Sequence, residues 1–151
     1  MTTQTATNKI RGGYKAALPK AAWVKISLLT SLASIAMVLI TQVVALAIWP
    51  QAAAFKPLDS YPRVALFTLV PVLIATALFA WLNKTKDQPR QAFLKIAAVV
   101  LLLSFIPDYL LPDPNRTLLA STIAAFLHLV AGVVTVGVLF RLQEYCEKKH
   151  E

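Results

Sequence analysis

The stretch S-F-I-P-D-Y-L-L-P-D-P-N-R-T, residues Ser104 to Thr117, runs on into L-L-A-S-T-I-A-A-F-L-H-L-V-A-G, Leu118 to Gly132, and its reading decides the fold. It joins the end of one apolar run to the start of another through a turn rich in proline and aspartate. About 20 residues suffice to cross about 30 Å of hydrocarbon as a helix rising 1.5 Å per residue. Both flanking runs reach that length. Asp108 closes the first and His128 lies inside the second, so ionisable side chains stand where a bilayer interior is expected.

Four apolar runs appear once the same test is applied to the whole chain: about 23–49, 64–82, 92–111 and 118–142. Trp23 and Trp49 bracket the first as interfacial aromatics do. Of 151 residues, 58% are hydrophobic, against about 45–50% in soluble domains. The expected class is an all-α membrane protein, four transmembrane helices in an antiparallel bundle over residues 23–142. Residues 1–22 read as a flexible basic tail and 143–151 as a charged C-terminal tail. A cleaved signal peptide fits poorly, because hydrophobic regions of signals are usually about 7–15 residues. Polarity never alternates at period two, which argues against a β-barrel.

Proline and aspartate mark the helix starts. Asp59-Ser60-Tyr61-Pro62, Asp87-Gln88-Pro89 and Asp113-Pro114 each place a capping residue before a proline that has no N–H to leave unpaired. Pro71 lies inside the second run, where it removes one backbone bond and is expected to bend the helix.

The net charge of +8 does not point to nucleic acid, since the basic residues flank apolar runs and form no stripe on a polar surface. Of the 15 Lys and Arg residues, twelve fall in the two tails, the 84–95 segment and the span ends next to the tails (Lys25 and Arg141), leaving Lys56, Arg63 and Arg116 on the other side. The positive-inside rule then puts both termini in the cytoplasm. Cys146 is the single cysteine, which excludes an intrachain disulfide and a cysteine-built metal cage.

Helices in lipid pair through small residues and hydrogen bonds, because the lipid is as apolar as leucine. Ser27, Ser31, Ser34 and Thr41 share roughly one face of the first span, with Gln42 beside it. Ser121, Ala125, His128, Gly132 and Thr135 form a single stripe on the fourth. Ser27, Ser34, Thr41, Ser121, Ala125, Gly132 and Thr135 are therefore expected to serve helix packing. Helical rise puts His128 about 15 Å below the start of its span, and an ionisable residue at that depth is a functional candidate. Asp108 lies about one turn below the interface, with Arg116 and Arg63 as expected partners. Gln42, Ser104, Asp108 and His128 together are the candidate ligand-binding residues of a polar pocket in the outer half of the bundle. His128 is expected to face the bundle, against the hydroxyl and amide face of the first span or Ser104.

No metalloprotease, hydrolase or phosphate-loop motif occurs, so no catalytic residue, metal site or cofactor is assigned. Ala124-x-x-x-His128 matches, weakly, the pattern by which helices ligate a tetrapyrrole, and leaves His128 as an alternative pigment ligand.

The third span ending in Ser104-Phe105-Ile106-Pro107, the short loop, Thr117, then Leu127-His128-Leu129-Val130-Ala131 and Arg141 resemble a family of uncharacterised four-span bacterial membrane proteins, catalogued as a domain of unknown function. The resemblance covers about residues 23 to 142. It implies four spans in a bacterial inner (plasma) membrane and brings no activity. The functional expectation is a small non-enzymatic integral membrane protein, an accessory or assembly subunit whose partners are lipids and other membrane subunits. The alternatives are a binder or carrier of a small amphipathic molecule (lipid, quinone or drug-like) and a pigment-associated subunit.

The charge asymmetry makes a topological prediction. A cysteine introduced at Ala53 is expected to react with an impermeant thiol reagent in intact cells, whereas native Cys146 is spared. Labelling of Cys146 under those conditions contradicts the orientation.

Overall fold

The computed structural model describes residues 18–110 and 112–150. Most of the expected basic N-terminal tail lies outside them. Four helices form: α1 Lys20–Ile48, α2 Tyr61–Thr85, α3 Pro89–Leu110 and α4 Leu118–His150. All four are long and apolar enough to cross a membrane. No strand occurs among the described residues. They pack as a bundle in which α1 touches α2 and α4, and α3 touches α2 and α4.

Proline sets most of the boundaries. Trp49 still donates its N–H to Ala45, at 2.9 Å, but Pro50 has none to give and α1 ends. Pro62 and Pro89 stand in the opening turns of α2 and α3. Ser60, expected as a side-chain cap, makes no capping hydrogen bond. Asp113-Pro114 is not the start of α4 either. The helix begins four residues on, where Thr117 Oγ1 accepts from the N–H of Ala120 at 3.1 Å. α2 continues through the exposed Pro71, and α3 through the exposed Pro107. The expected charged tail is likewise helical, because α4 runs past Leu142 to His150.

Two apolar clusters hold the bundle, one at each end. At one end Ile26, Phe79, Leu82, Phe93 and Leu139 are buried together, with Trp23 and Phe140 against them. Phe79 is the hub: its ring centroid lies 5.0 Å from that of Phe93, 5.2 Å from Phe140 and 6.0 Å, edge-on, from Trp23. Such tilted and edge-to-face pairs suit the aromatic quadrupole. At the other end Val38, Ala45, Val64, Ala120, Ile123, Ala124 and Leu127 are buried with Ala52, Phe55 and Leu58 of the α1–α2 connection. That connection is two 3₁₀ turns, Pro50–Ala54 and Lys56–Leu58. Residues three apart align on one face of such a turn, so Ala52, Phe55 and Leu58 all point into the bundle. The loop is a plug.

The surface between the ends is apolar in large part, with Leu28, Leu32, Ile40, Phe67, Ile74, Val99, Leu102, Leu103 and Val133 among the exposed side chains. A soluble monomer rarely exposes so much; a bilayer covers it. The interior between the two clusters is hydroxyl-lined instead, with Thr30, Ser31, Ser34, Thr76 and Thr135 buried.

Packing outweighs these polar contacts. Phe79→Ala is expected to cost about 3 kcal/mol through the cavity it leaves, and Ser34→Ala about 0.6 kcal/mol, the mean for an interhelical hydrogen bond in a membrane protein. Unfolding in mixed detergent micelles measures both, and an equal or larger cost for Ser34→Ala contradicts the ranking.

Candidate functional site at the seam of α3 and α4

Four residues were expected to share one polar pocket, and the structure brings two of them together. Asp108 Oδ2 lies 3.4 Å from His128 Nε2, with the aspartate side chain 6% exposed and the histidine side chain 43% exposed. In a helix each Cα–Cβ bond leans toward the N-terminus. Asp108, near the end of α3, therefore reaches back along its own span. His128 reaches back toward the start of α4, where Ser121 donates to the main-chain carbonyl of Asp108 at 2.7 Å. The two side chains close a gap that helical rise alone leaves between them.

The pair is incompletely bonded. Asp108 Oδ2 is buried and makes no aligned hydrogen bond, and among the described residues none is formed by the His128 ring. Of the two sides expected for His128, the hydroxyl face of α1 and Ser104 of α3, it lies on the second: half-exposed, it stands against Asp108, one turn after Ser104. One expectation is corrected. Asp108 pairs with neither arginine: Arg63 binds Asp59 at 2.6 Å and the carbonyl of Lys56 at 2.8 Å.

Gln42 and Ser104 are committed elsewhere. Gln42 is fully buried, and its Nε2 donates to the carbonyl of Leu58 at 3.0 Å, pinning the plug to α1, while its Oε1 has no partner among the described residues. Ser104, one turn before Asp108, donates to Leu101 of its own helix at 2.7 Å.

The expected packing stripe on α4 serves two neighbours. Thr135 faces α1, its hydroxyl 2.9 Å from that of Ser34. Ser121, His128 and Gly132 face α3; a Cβ on Gly132 meets the Leu101 side chain at 3.6 Å, an ordinary contact. Ala125 is buried. Thr41 bonds back to Met37 of its own turn, and Ser27 is half-buried.

Beside the pair, at the plugged end, Tyr109, Arg116, Thr117, Leu118 and Ser121 line a shallow groove. The Tyr109 hydroxyl lies 3.4 Å from that of Thr122. Asp113 ties the two connections of this end together: one oxygen accepts from the N–H of Asn115 at 2.9 Å and the other from the N–H of Lys56 at 3.1 Å. The first of these bonds holds the Asp113 carboxyl below the usual carboxylate range, burial opposes it, and the Lys56 N–H adds to the lowering.

Sequence reasoning missed a second polar network at the opposite end. Arg90 binds Glu144 at 2.6 Å, points at Gln143 Oε1 at 3.3 Å, and lies 5.2 Å over the Phe140 ring. Gln143 Nε2 in turn donates to Asn83 and Glu147, each at 2.8 Å. The network ties the end of α2 and the start of α3 to α4. Its signal was present in the spacing Phe140, Gln143, Glu144, Glu147, a helical stripe of three, four and seven. No group of three or more metal-ligating side chains occurs among the described residues.

The profile of the DUF6069 family, a family of unknown function, matches residues 18–144, and the chain belongs to that family. No curated protein and no solved structure shows significant similarity to it.

The Asp113 clamp should show in the pH dependence of stability. A carboxyl whose pKa is lowered by folding stabilises the fold above its unfolded value, about 3.9. That contribution fades as the pH falls through the folded value. Asp113→Ala is therefore expected to be less stable than the parent at pH 7, with the difference narrowing below about pH 3.9. A difference that stays constant down to pH 2.5 contradicts the role.

Proposed function

We propose that this member of a family of unknown function is a non-enzymatic, four-span accessory or assembly subunit of a larger complex in the bacterial inner membrane. Its helices alternate in direction, with both termini and the α2–α3 connection in the cytoplasm. Alternation is supported by the two tethers: Lys56 to Asp113 joins two connections at one end, and Asn83 to Gln143 joins the last turns of α2 to α4 at the other. Orientation is supported by the distribution of Lys and Arg.

One observation carries the subunit reading. α3 is a spanning helix of 22 residues whose buried positions are Phe93 and Asp108 alone. A helix held along so little of its surface is suited to completing its packing on another protein, since helix association in lipid depends on close packing. Lipids are the other partner.

A second reading, binding of a small amphipathic molecule, is favoured by the half-exposed Asp108–His128 pair with its unbonded carboxylate oxygen. No observation favours a tetrapyrrole on His128 over that reading.

Purification of the tagged full chain from its native membrane in a mild detergent separates the possibilities. A stoichiometric protein partner is expected. A chain that elutes alone, with no partner by mass spectrometry under conditions that preserve known complexes of the same membrane, refutes the subunit reading. A bound small molecule in that case supports the second.

A further inference from the structure

We propose that the Asp108–His128 pair takes the hydroxyl group of a lipid-soluble molecule, a phenol or a long-chain alcohol, admitted sideways from the bilayer. The proposal rests on the ligand-binding reading above and narrows it to one head-group chemistry.

The argument begins with the two exposures. The Asp108 carboxyl is almost wholly enclosed, whereas nearly half of the His128 side chain is open. The imidazole is thus the accessible part of the pair. Its opening lies along an apolar spanning helix, where Leu129, the next residue, is exposed as well, so what reaches it arrives through lipid.

The ring nitrogens decide the chemistry. Nε2 lies nearest Asp108 Oδ2, and a neutral ring with its proton on that side leaves Nδ1 as an acceptor. It makes no hydrogen bond among the described residues, and an unsatisfied polar group in hydrocarbon costs several kcal/mol. A hydroxyl donates to Nδ1 and satisfies it. A ketone or ether offers only a second acceptor. An anionic head meets a buried carboxylate in a low-dielectric setting, where like charges repel strongly.

Room for the rest of the head group lies alongside. Ser121 links the pair to the groove, because its hydroxyl holds the Asp108 carbonyl while its side chain lines that groove with Tyr109 and Leu118. A flat ring or an alkyl chain fits against Tyr109 and Leu118, in a groove whose lining also includes Arg116.

The test uses the full chain in phosphatidylcholine nanodiscs and three probes: 4-decylphenol, its methyl ether 4-decylanisole, and dodecanol. Saturable binding of 4-decylphenol is expected, with the ether about tenfold weaker for want of the hydrogen bond. His128→Leu should lose about the same factor, and His128→Gln, whose amide oxygen is also an acceptor, should recover most of it. Helicity and a single elution peak establish that each variant is folded. If His128→Leu does not insert, a diazirine on the decyl tail of the phenol gives an independent readout in the parent protein, and adducts on α3 near Tyr109 or on α4 near Leu129 support the site.

Displacement of the phenol by dodecanol identifies a lipid alcohol as a competent source, and failure to displace it restricts the site to phenolic rings. The site holds in both cases. Equal binding of phenol and ether, or adducts confined to other helices, overturns the proposal. If a hydroxyl-free molecule co-purifies stoichiometrically while the phenol does not saturate, this proposal falls and the broader ligand reading stands. If nothing co-purifies and no probe binds, both fall.

Discussion

Hydrocarbon supplies no hydrogen-bond partner, and the polar groups of this chain are arranged under that constraint. Thr68, Thr76 and Thr122 turn their hydroxyls onto carbonyls four residues back in their own helices. Such bonds satisfy the side chain and ask nothing of a neighbour. Apart from the Arg90–Gln143–Asn83 network at one end and the Tyr109–Thr122 approach at the other, the contacts that cross between helices are few: Ser34 to Thr135, Ser121 to the Asp108 carbonyl, and the Asp108–His128 approach. Each marks a line where two helices meet. Gln42, with an amide too large to satisfy within its own turn, reaches the Leu58 carbonyl of the plug instead.

These contacts set which faces meet, while the apolar clusters supply most of the stability. An interhelical hydrogen bond in a membrane is worth little because the separated helices find other partners. A ring such as Phe79, enclosed by helices and touching three other aromatics, has no comparable substitute in fluid lipid. Close packing is lost outright when it is removed. The bundle is therefore strongest at its two ends and most polar between them.

How much was legible follows from the same physics. Four spans could be read because a helix that faces lipid must be apolar over its whole length, a signal carried by every residue in it. The hydroxyl stripes were visible too, since they interrupt that signal. What could not be read was the choice of neighbour. Ser121, His128, Gly132 and Thr135 lie on one stripe by spacing, yet they divide between α3 and α1, because a stripe records an angle and not the helices on either side of it. Asp108 and His128 were grouped in one pocket with Gln42 and Ser104, but their direct approach was not read, because counting rise omits the lean of the side chains that brings them together. The plug was missed because Ala52, Phe55 and Leu58 follow a period of three within what looked like a proline-rich loop. The Arg90 network was missed because the segment after Leu142 was taken for a tail.

That segment has a mechanical consequence. α4 has 33 residues, about 50 Å at 1.5 Å per residue, against a hydrocarbon layer of about 30 Å. Roughly 20 Å of the same rod thus stands clear of the apolar slab, braced at its base by Arg90 on Glu144 and by Asn83 on Gln143. A continuous helix transmits torsion with little slack. A twist or tilt imposed on the projecting part is carried to Thr135 and onward to His128, so the rod couples whatever grips its tip to the seam two-thirds of its length away. A reporter fused in helical register at that tip would turn with the seam.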